Sequence, residues 1–490
     1  MRSRRRRLLP WIGLVGAALS GCSLAPAYER PALPVSDTYP AGSEHEPAPE
    51  PKLEQSSVAA ADIGWRDFLI DARLARLVEI ALGNNRDLRV ATLQVAQAQA
   101  LYRVQRSALL PQLDMSASKS ESRTPVTLLA PQGRGPQDEY SVGANIAWEL
   151  DFFGRLQNLS AAAQQRYLAT AHARTAAEIL LISQVVNQYL AMLAVDELLA
   201  VTRRTLDTAD ASLRLTSLQL ANGVGNELFL QQSLSVVEQA KASYAAQLRT
   251  RAQAENALVL LIGQPLPEDL PPATPLDAQT ILADIPAGLP SDLLMRRPDI
   301  REAEANLLAA NADIGAARAA FFPFMTLTGS YRTASTTLSG LFDSGSRAWS
   351  FIPSIVAPIF HGGELRANLD LAKLQKDSAI AQYEKAIQTA FREVADNLAA
   401  RETYDEEVSA LESLTEAQRR TLDLAQMRFR SGVDTYLDVL TAQTSFYSAQ
   451  QSLVSARLER LTTLVDLYRA LGGGWAERTV GVQGPAAGAN

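Results

Sequence analysis

Reactive side chains are scarce in this sequence, and their spacing decides what chemistry is open to it. The three histidines, His45, His172 and His361, stand far apart with no metal-ligand spacing among them. The acidic run Asp405-Glu406-Glu407 falls inside a long helical stretch, where it reads as a solvated face rather than as paired catalytic carboxylates. Gly223-Val224-Gly225 lacks the third glycine and the preceding strand of a dinucleotide site, and neither a phosphate loop nor a Gly-x-Ser-x-Gly elbow occurs. No enzyme is expected, and no metal or cofactor. One thiol remains. Cys22 is the only cysteine in 490 residues, so no intrachain disulfide can form and attachment of another group is the chemistry left to it.

The residues before Cys22 say what that group is. Arg2 and Arg4 to Arg7 form a basic region, Leu8 to Leu19 an apolar stretch too short to span a bilayer, and Leu19-Ser20-Gly21 leads into Cys22. Together they resemble a bacterial lipoprotein signal peptide, residues 1–21, after whose removal Cys22 carries lipid, palmitate included. Ser23 follows rather than aspartate, which by resemblance to sorted lipoproteins implies the outer membrane. Removal of residues 1–21 leaves 41 basic against 53 acidic side chains, a net charge of −12. Counterion release at nucleic acid needs clustered positive charge, so no nucleic-acid partner is expected.

Residues 22–61 are rich in proline, from Pro26 to Pro51, and read as an extended, lipidated tether. The body follows over 62–475, with 476–490 as a flexible tail. Inside the body two long runs, Arg155 to Asn222 and Glu364 to Ser431, contain neither glycine nor proline, and each ends at a Gly-Val pair. A helix filling either run would be about 100 Å long. Val185, Met192, Leu199, Leu206, Leu213 and Leu220 recur every seven residues, the mark of a helix held against coiled-coil partners. After each Gly-Val the chain returns as a helix about half as long. Asn85 to Arg89 matches Arg297 to Arg301, and Ala108 to Pro111 matches Ala320 to Pro323, both at one common displacement. Gly154 matches Gly363 and Gly223-Val224 matches Gly432-Val433, both at a slightly shorter one. The body is therefore a duplicated unit, repeat one over about 62–270 and repeat two over about 285–475.

Between the helices lie segments of a different period. Tyr140, Val142, Ala144, Ile146, Trp148 and Leu150 alternate with small or polar residues, the pattern of a strand with a lipid face and a wet face. Leu113 and Met115 repeat it more weakly, as do Met325, Leu327 and Tyr331, and Trp349, Phe351, Ile355 and Ile359. Four strands are expected, at about 111–120, 140–150, 324–333 and 349–359. No apolar run is long enough for a membrane helix. Four strands cannot close a barrel, and an open edge is forbidden in lipid. Membrane strands would thus require oligomers: two copies give eight strands with a filled interior, three give twelve and room for a lumen. The competing expectation is a small soluble sheet against the helices.

With these residues in view, the chain resembles the outer-membrane factors of tripartite efflux pumps, the TolC-like family, and within it the lipoprotein (NodT-type) branch. The resemblance runs from Cys22 to Trp475. It rests on Leu289 to Ile300, which contains Arg296-Arg297-Pro298-Asp299, on Ala309 to Arg318, on Tyr383 to Gln388, and on Ala470-Leu471-Gly472-Gly473-Gly474-Trp475. It implies a mainly α protein with a membrane β part: a homotrimer whose 12-stranded outer-membrane barrel, four strands per chain, is continued by a periplasmic α-helical barrel. The implied function is a passive efflux duct for drugs and other small molecules. Its implied partners are a periplasmic adaptor, an inner-membrane RND-type transporter and outer-membrane lipid. The resemblance assigns adaptor contact to the tips, at Gly223, Val224, Gly225, Asn226, Glu227, Leu228, Gly432, Val433 and Asp434. It assigns the periplasmic gate to Leu437, Asp438 and Thr441. Relatives often carry aspartate where this chain has Phe229 and Thr441, so two acidic rings are not expected here. Two other readings fit the same sequence: the duct of a type I protein-secretion system, and a non-conducting periplasmic coiled-coil lipoprotein scaffold.

Overall fold

The computed structural model describes residues 23–40, 59–122, 137–281 and 292–479. Cys22 and His45 lie outside the described residues, as do Leu289 to Ser291. In chain order the principal elements are α1 (Ala72–Asn84), α2 (Arg86–Ser107), β1 (Gln112–Ser122), β2 (Gln137–Leu150), α3 (Arg155–Ala221), α4 (Glu227–Ile262), α5 (Pro298–Ala319), β3 (Phe324–Ser335), β4 (Arg347–Val356), α6 (Glu364–Arg430) and α7 (Tyr436–Ala470). The two glycine- and proline-free runs are helices of 67 residues each. The chain divides into two compact units, and both long helices contribute to each. The first unit gathers the described parts of Met1–Ala32, Gln94–Ala171 and Glu302–Glu384; the second gathers those of Leu33–Leu93, His172–Arg301 and Lys385–Asn490.

In the first unit the four strands form one antiparallel sheet in the order β1-β2-β3-β4. Each repeat supplies a hairpin, and β2 joins β3 across the repeats, with Tyr140 opposite Ser335 and Leu150 opposite Met325. β4 ends at Val356, so Ile359, expected on it, lies beyond the strand and is 95% exposed. The ladder stops there because β3 begins at Phe324, the partner of Val356, and leaves later residues no neighbour on that side. Where strands pass into helices, Phe153 stacks on Phe322 with ring centroids 4.7 Å apart, and the Trp148 indole donates to the Leu109 carbonyl at 3.1 Å. Behind this junction Ala162 of α3 packs on Ala309 and Ala312 of α5, small residues that let two helix backbones come close.

The second unit holds the larger core. Val185, Met192 and Leu206 of the seven-residue stripe are buried, and Leu199, Leu213 and Leu220 are half-buried. Leu206 and Ala209 of α3 meet Val237 and Ala240 of α4. One stretch of α3 is apolar enough, by length and composition, to cross a bilayer, although no unbroken apolar run marks it; 61% of it is buried inside the protein, and core packing explains its composition. Arg457 of α7 pairs with Glu197 of α3 at 3.5 Å and with Glu412 of α6 at 2.9 Å, tying three helices in register. The segment expected to begin a flexible tail is bound at its start: Trp65 and Arg66 donate backbone N–H groups to the carbonyls of Ala476 and Glu477. Nearby, Tyr468 stacks on Phe68 at 4.0 Å and donates its hydroxyl to the Ile63 carbonyl at 2.6 Å.

The duplication is visible at one structural joint. Asn85 and Arg297, equivalent in the repeats, each stand just before a 22-residue helix, α2 and α5 respectively. The Asn85 amide donates to the Leu261 carbonyl at 2.8 Å, and the Arg297 guanidinium donates to the Ala470 carbonyl at 2.9 Å. Leu261 and Ala470 are themselves equivalent, related by the same displacement as the two Gly-Val pairs, at the ends of α4 and α7. Two side chains of different chemistry therefore satisfy the same orphan carbonyl of a helix C-terminus. Arg297 also pairs with Asp299 at 2.6 Å and Glu393 at 2.9 Å. Burial works against its charge, but the two carboxylates outweigh that cost and raise its pKa. Replacing Arg297 by leucine strands the carbonyl and leaves Glu393 only the long 3.9 Å pair with Arg469, a loss of about 3–5 kcal/mol, whereas Asn85→Ala costs about 1–3 kcal/mol. Thermal unfolding of the detergent-solubilised variants, followed by circular dichroism, will rank them in that order.

Candidate functional site

Two parts of the chain carry the geometry expected to do work: the sheet and the two helix tips. Residues directly opposite in an antiparallel sheet share a face, so the pairings define two continuous surfaces. One row runs Met115, Ala144, Tyr331 and Trp349 across all four strands, and the next runs Leu113, Ile146, Gly329 and Phe351. Beyond Leu113 follow Trp148, Leu327 and Pro353, then Leu150, Met325 and Ile355. This face is apolar throughout its middle. Met115 and Trp349 are more than three-quarters exposed.

The opposite face is built from hydroxyls and amides. Asp114, Asn145, Ser330 and Ser350 form one row; Ser116, Gly143, Arg332 and Ala348 form the next. The Ser118 and Ser141 hydroxyls lie 2.9 Å apart, and those of Ser330 and Ser350 lie 2.8 Å apart. The Asn145 amide donates to the Ser116 hydroxyl at 3.2 Å. Ile352 is the apolar exception near its centre. Among the described residues, the two outer strands, β1 and β4, each have a neighbour on one side only.

At the tips, both long helices end in the same way. Gly223 and Gly432 adopt φ +73° and +74°. Gly223 donates to the Leu220 carbonyl and Val224 to the Gln219 carbonyl, both at 3.0 Å; Gly432 and Val433 repeat this with Phe429 and Arg428. This paired capping needs a left-handed residue at the glycine, and a side chain there would be strained. Val224, Leu228, Val433 and Leu437 are each more than half exposed. Asn226 starts α4 by accepting from the Leu228 N–H at 2.9 Å. Glu227 binds Gln231 along the helix.

The second tip carries an ion pair that the first lacks. Arg428 makes a two-pronged bond to Asp434, with Nε to Oδ2 at 2.7 Å and Nη2 to Oδ1 at 2.8 Å. That hydrogen bonding holds the Asp434 carboxyl below its usual range. The position equivalent to Asp434 in the first tip is Gly225, so no such clamp can form there. Asp438 accepts the Thr435 backbone N–H at 3.0 Å and the Thr435 hydroxyl at 2.6 Å, which makes it a helix-capping residue of α7. The Thr441 hydroxyl is turned back to the Leu437 carbonyl at 2.9 Å. Beneath the tip, Tyr436 packs between Phe429 and Phe229, at 5.3 Å and 5.9 Å between ring centroids. Sequence reading missed Arg428 and this aromatic cluster; the only signal for the clamp was opposite charge on the two sides of a Gly-Val turn.

The profile of the outer membrane efflux protein family matches residues 77–264 and 289–473, one segment in each repeat. The chain belongs to this family. It is 47% identical to the solvent efflux pump outer membrane protein SrpC of Pseudomonas putida over 469 residues, covering 96% of this chain and 98% of that protein. It is 45% identical to the outer membrane protein OprJ of Pseudomonas aeruginosa, over 95% of each. Among solved structures it resembles the open state of the MtrE outer membrane channel of Neisseria gonorrhoeae, with a TM-score of 0.83 and 41% identity, over 94% of this chain and all of that one. The expected fold class and efflux function are thereby met: the chain is an outer-membrane efflux component.

The tip geometry yields a test that separates charge from capping at Asp438. Asp438→Ala removes the cap, costing about 1 kcal/mol and raising hydrogen exchange in the first turn of α7 about fivefold. Asp438→Asn keeps an acceptor, removes the charge and leaves exchange close to wild type. The Arg428–Asp434 clamp follows the sign of a depressed carboxyl: it is fully present above the ordinary aspartate range and is lost as pH falls through the lowered value. Exchange at Val433 to Thr435, corrected for intrinsic rates, should therefore be flat from pH 7 to pH 5. Arg428 is exposed and Asp434 half-buried, so salt weakens the clamp further.

Proposed function

We propose that this chain is the outer-membrane exit duct of a tripartite efflux pump, a homotrimer in which three four-stranded sheets close into a twelve-stranded barrel. The observation that carries this reading is the two-faced sheet whose two outer strands, among the described residues, each pair on one side only. An apolar face belongs against lipid, yet hydrocarbon tolerates no unpaired row of N–H and C=O groups. Edge-to-edge association of copies satisfies both requirements at once, and the hydroxyl-lined face then surrounds water. Such a duct has no catalytic step, and the energy for export comes from an inner-membrane RND-type transporter.

Lipid on Cys22 anchors the chain to the outer membrane while its helices reach into the periplasm. The exposed Val224, Leu228, Val433 and Leu437, with the turns around Gly223 to Glu227 and Gly432 to Asp434, form the contact for a periplasmic adaptor. Leu437, Asp438 and Thr441 line the gate, where Asp438 caps its helix and supplies the one carboxylate per copy. The cargo is small and largely apolar. Relatives named for solvent and toluene efflux support that class.

Neighbouring residues on opposite faces test the barrel. In planar bilayers the wild type should give small, mostly closed single-channel steps. Trp349→Asp, on the apolar face, reduces insertion at least tenfold. Ser350→Asp, one residue on but on the wet face, inserts normally and shifts conductance toward cations. Equal insertion of the two variants, or a folded wild type that never inserts, would overturn the barrel and leave a helical scaffold.

A further inference from the structure

A cavity of about 440 Å³ lies within the first unit, where the strands pass into helices. Its walls come from the β2–α3 turn, from the α5–β3 junction and from the β4–α6 turn, with β3 in the middle. The outer edge of β4, where a further copy would pair, lies on the far side of that strand from the cavity. Of its strand residues, Glu149, Phe324 and Val356 belong to the hydroxyl-bearing face: Phe324 is opposite Val356, and Glu149 is opposite Thr326. The cavity therefore borders the face that suits water.

Rings and alkyl groups line most of it. Phe153 and Phe322 stack with centroids 4.7 Å apart. Phe152, Phe322 and Phe324 are 44%, 41% and 42% exposed, large rings with apolar surface still open to a ligand. The carboxylates and the guanidinium at the rim already have partners. Arg155 makes a two-pronged bond to Glu149, its Nη2 2.8 Å from both carboxylate oxygens, and Asp151 accepts the Gln157 N–H at 2.7 Å. A charged guest would lose its water here and gain no free counter-charge, whereas an uncharged aromatic one gives up no hydrogen bonds by leaving water.

Size narrows the guest further. A cavity of about 150 Å³ suffices for benzene, so about 440 Å³ holds two or three fused rings. At the displacement that relates Ala320 to Pro323 with Ala108 to Pro111, Phe322 and Phe324 fall on Leu110 and Gln112. Repeat one has an amide where repeat two has the β3 ring, so the duplication did not copy the site.

We infer that this cavity is a binding site for uncharged aromatic molecules of two or three rings. Phe152, Phe322 and Phe324 supply the stacking surfaces, and Val356 and Ile359 the alkyl wall. Its role in transport rests on the exit-duct reading: there the hydroxyl-bearing face surrounds water, and the cavity gives apolar cargo a resting place where the helices meet the strands. Such a stop has to hold its guest loosely, because a duct conducts only what it also releases.

1-Bromonaphthalene, an uncharged two-ring probe, tests this on the full lipidated chain. In soaked crystals, bromine anomalous scattering should place it about 5 Å from the Phe322 and Phe324 rings. In lipid nanodiscs, equilibrium dialysis should find probe bound in excess of that taken up by empty discs. Phe324→Gln gives β3 the residue of repeat one, and Ala357→Trp fills the cavity with an indole. Each should lower that excess at least fivefold while inserting into planar bilayers as the wild type does. An empty cavity, a cavity filled by side chains of a neighbouring copy, or an excess that neither variant changes would overturn the site. Bromine in the crystal with no excess in nanodiscs would mean binding at crystal concentration only, and would overturn it too. The duct reading fails separately: a wild type that binds the probe but forms no channels would keep the site and sink the duct.

Discussion

A β-sheet that meets hydrocarbon must pair every N–H and C=O it carries, and four strands in a row cannot do so alone. Much of the chain reads as an answer to that constraint. The sheet is apolar on one face from Leu113 to Ile355 and hydroxylated on the other. Among the described residues its outer strands pair on their inner sides only. Completion by further copies in turn demands that each copy present its helices in a fixed register. Arg457 between Glu197 and Glu412, and the buried stripe from Val185 to Leu206, supply that register within a chain.

Duplication supplied the parts, and divergence gave the halves different chemistry at matched positions. Asn85 and Arg297 hold the same helix-terminal carbonyl, one as a neutral amide, the other as a buried cation with two carboxylate partners. At the tips the backbone capping bonds have the same lengths, while the side chains differ. Gly225 stands opposite Asp434 in the repeat, and Phe229 opposite Asp438. Repeat one thus has the single carboxylate of Glu227 at its tip, bound along its own helix, and repeat two puts an ion pair and a cap on the same turn. A gating role for Asp438 has to be separated from its hold on Thr435, since one carboxylate serves both.

Periodicity made the helices and strands legible. Absence of glycine and proline from Arg155 to Asn222 and from Glu364 to Ser431 left only helix, and the strict alternation in Tyr140 to Leu150 left only strand, because both are local consequences of backbone geometry. The strand ends were less legible: Ile359 keeps the alternation but lies past Val356, where the neighbouring strand has already begun, and a period says nothing of where a partner starts. Contacts between segments distant in sequence were not legible at all. Nothing in the composition of Ser23 to Arg30 shows that Arg318 and Glu304 will hydrogen-bond to it, and nothing in Arg428 alone shows that a turn will bring it to Asp434. Proline richness says that a segment is extended; whether it lies on a surface depends on side chains as remote in the chain as Arg318.

The pairing of β2 with β3 has a kinetic consequence. Each hairpin closes over a short stretch of chain, but Tyr140 must find Ser335 from the far side of α3, α4 and α5, the whole first helical hairpin included. Until repeat two has been translocated, the first hairpin waits with Ile146 and Trp148 uncovered and one ladder unmade, a template for wrong partners. Assembly is therefore ordered by export: local helices first, the inter-repeat ladder after, and the outer edges last. In the interval the chain depends on whatever holds unfolded strands soluble in the periplasm, so its vulnerability lies in the time before it reaches the membrane rather than in the finished protein.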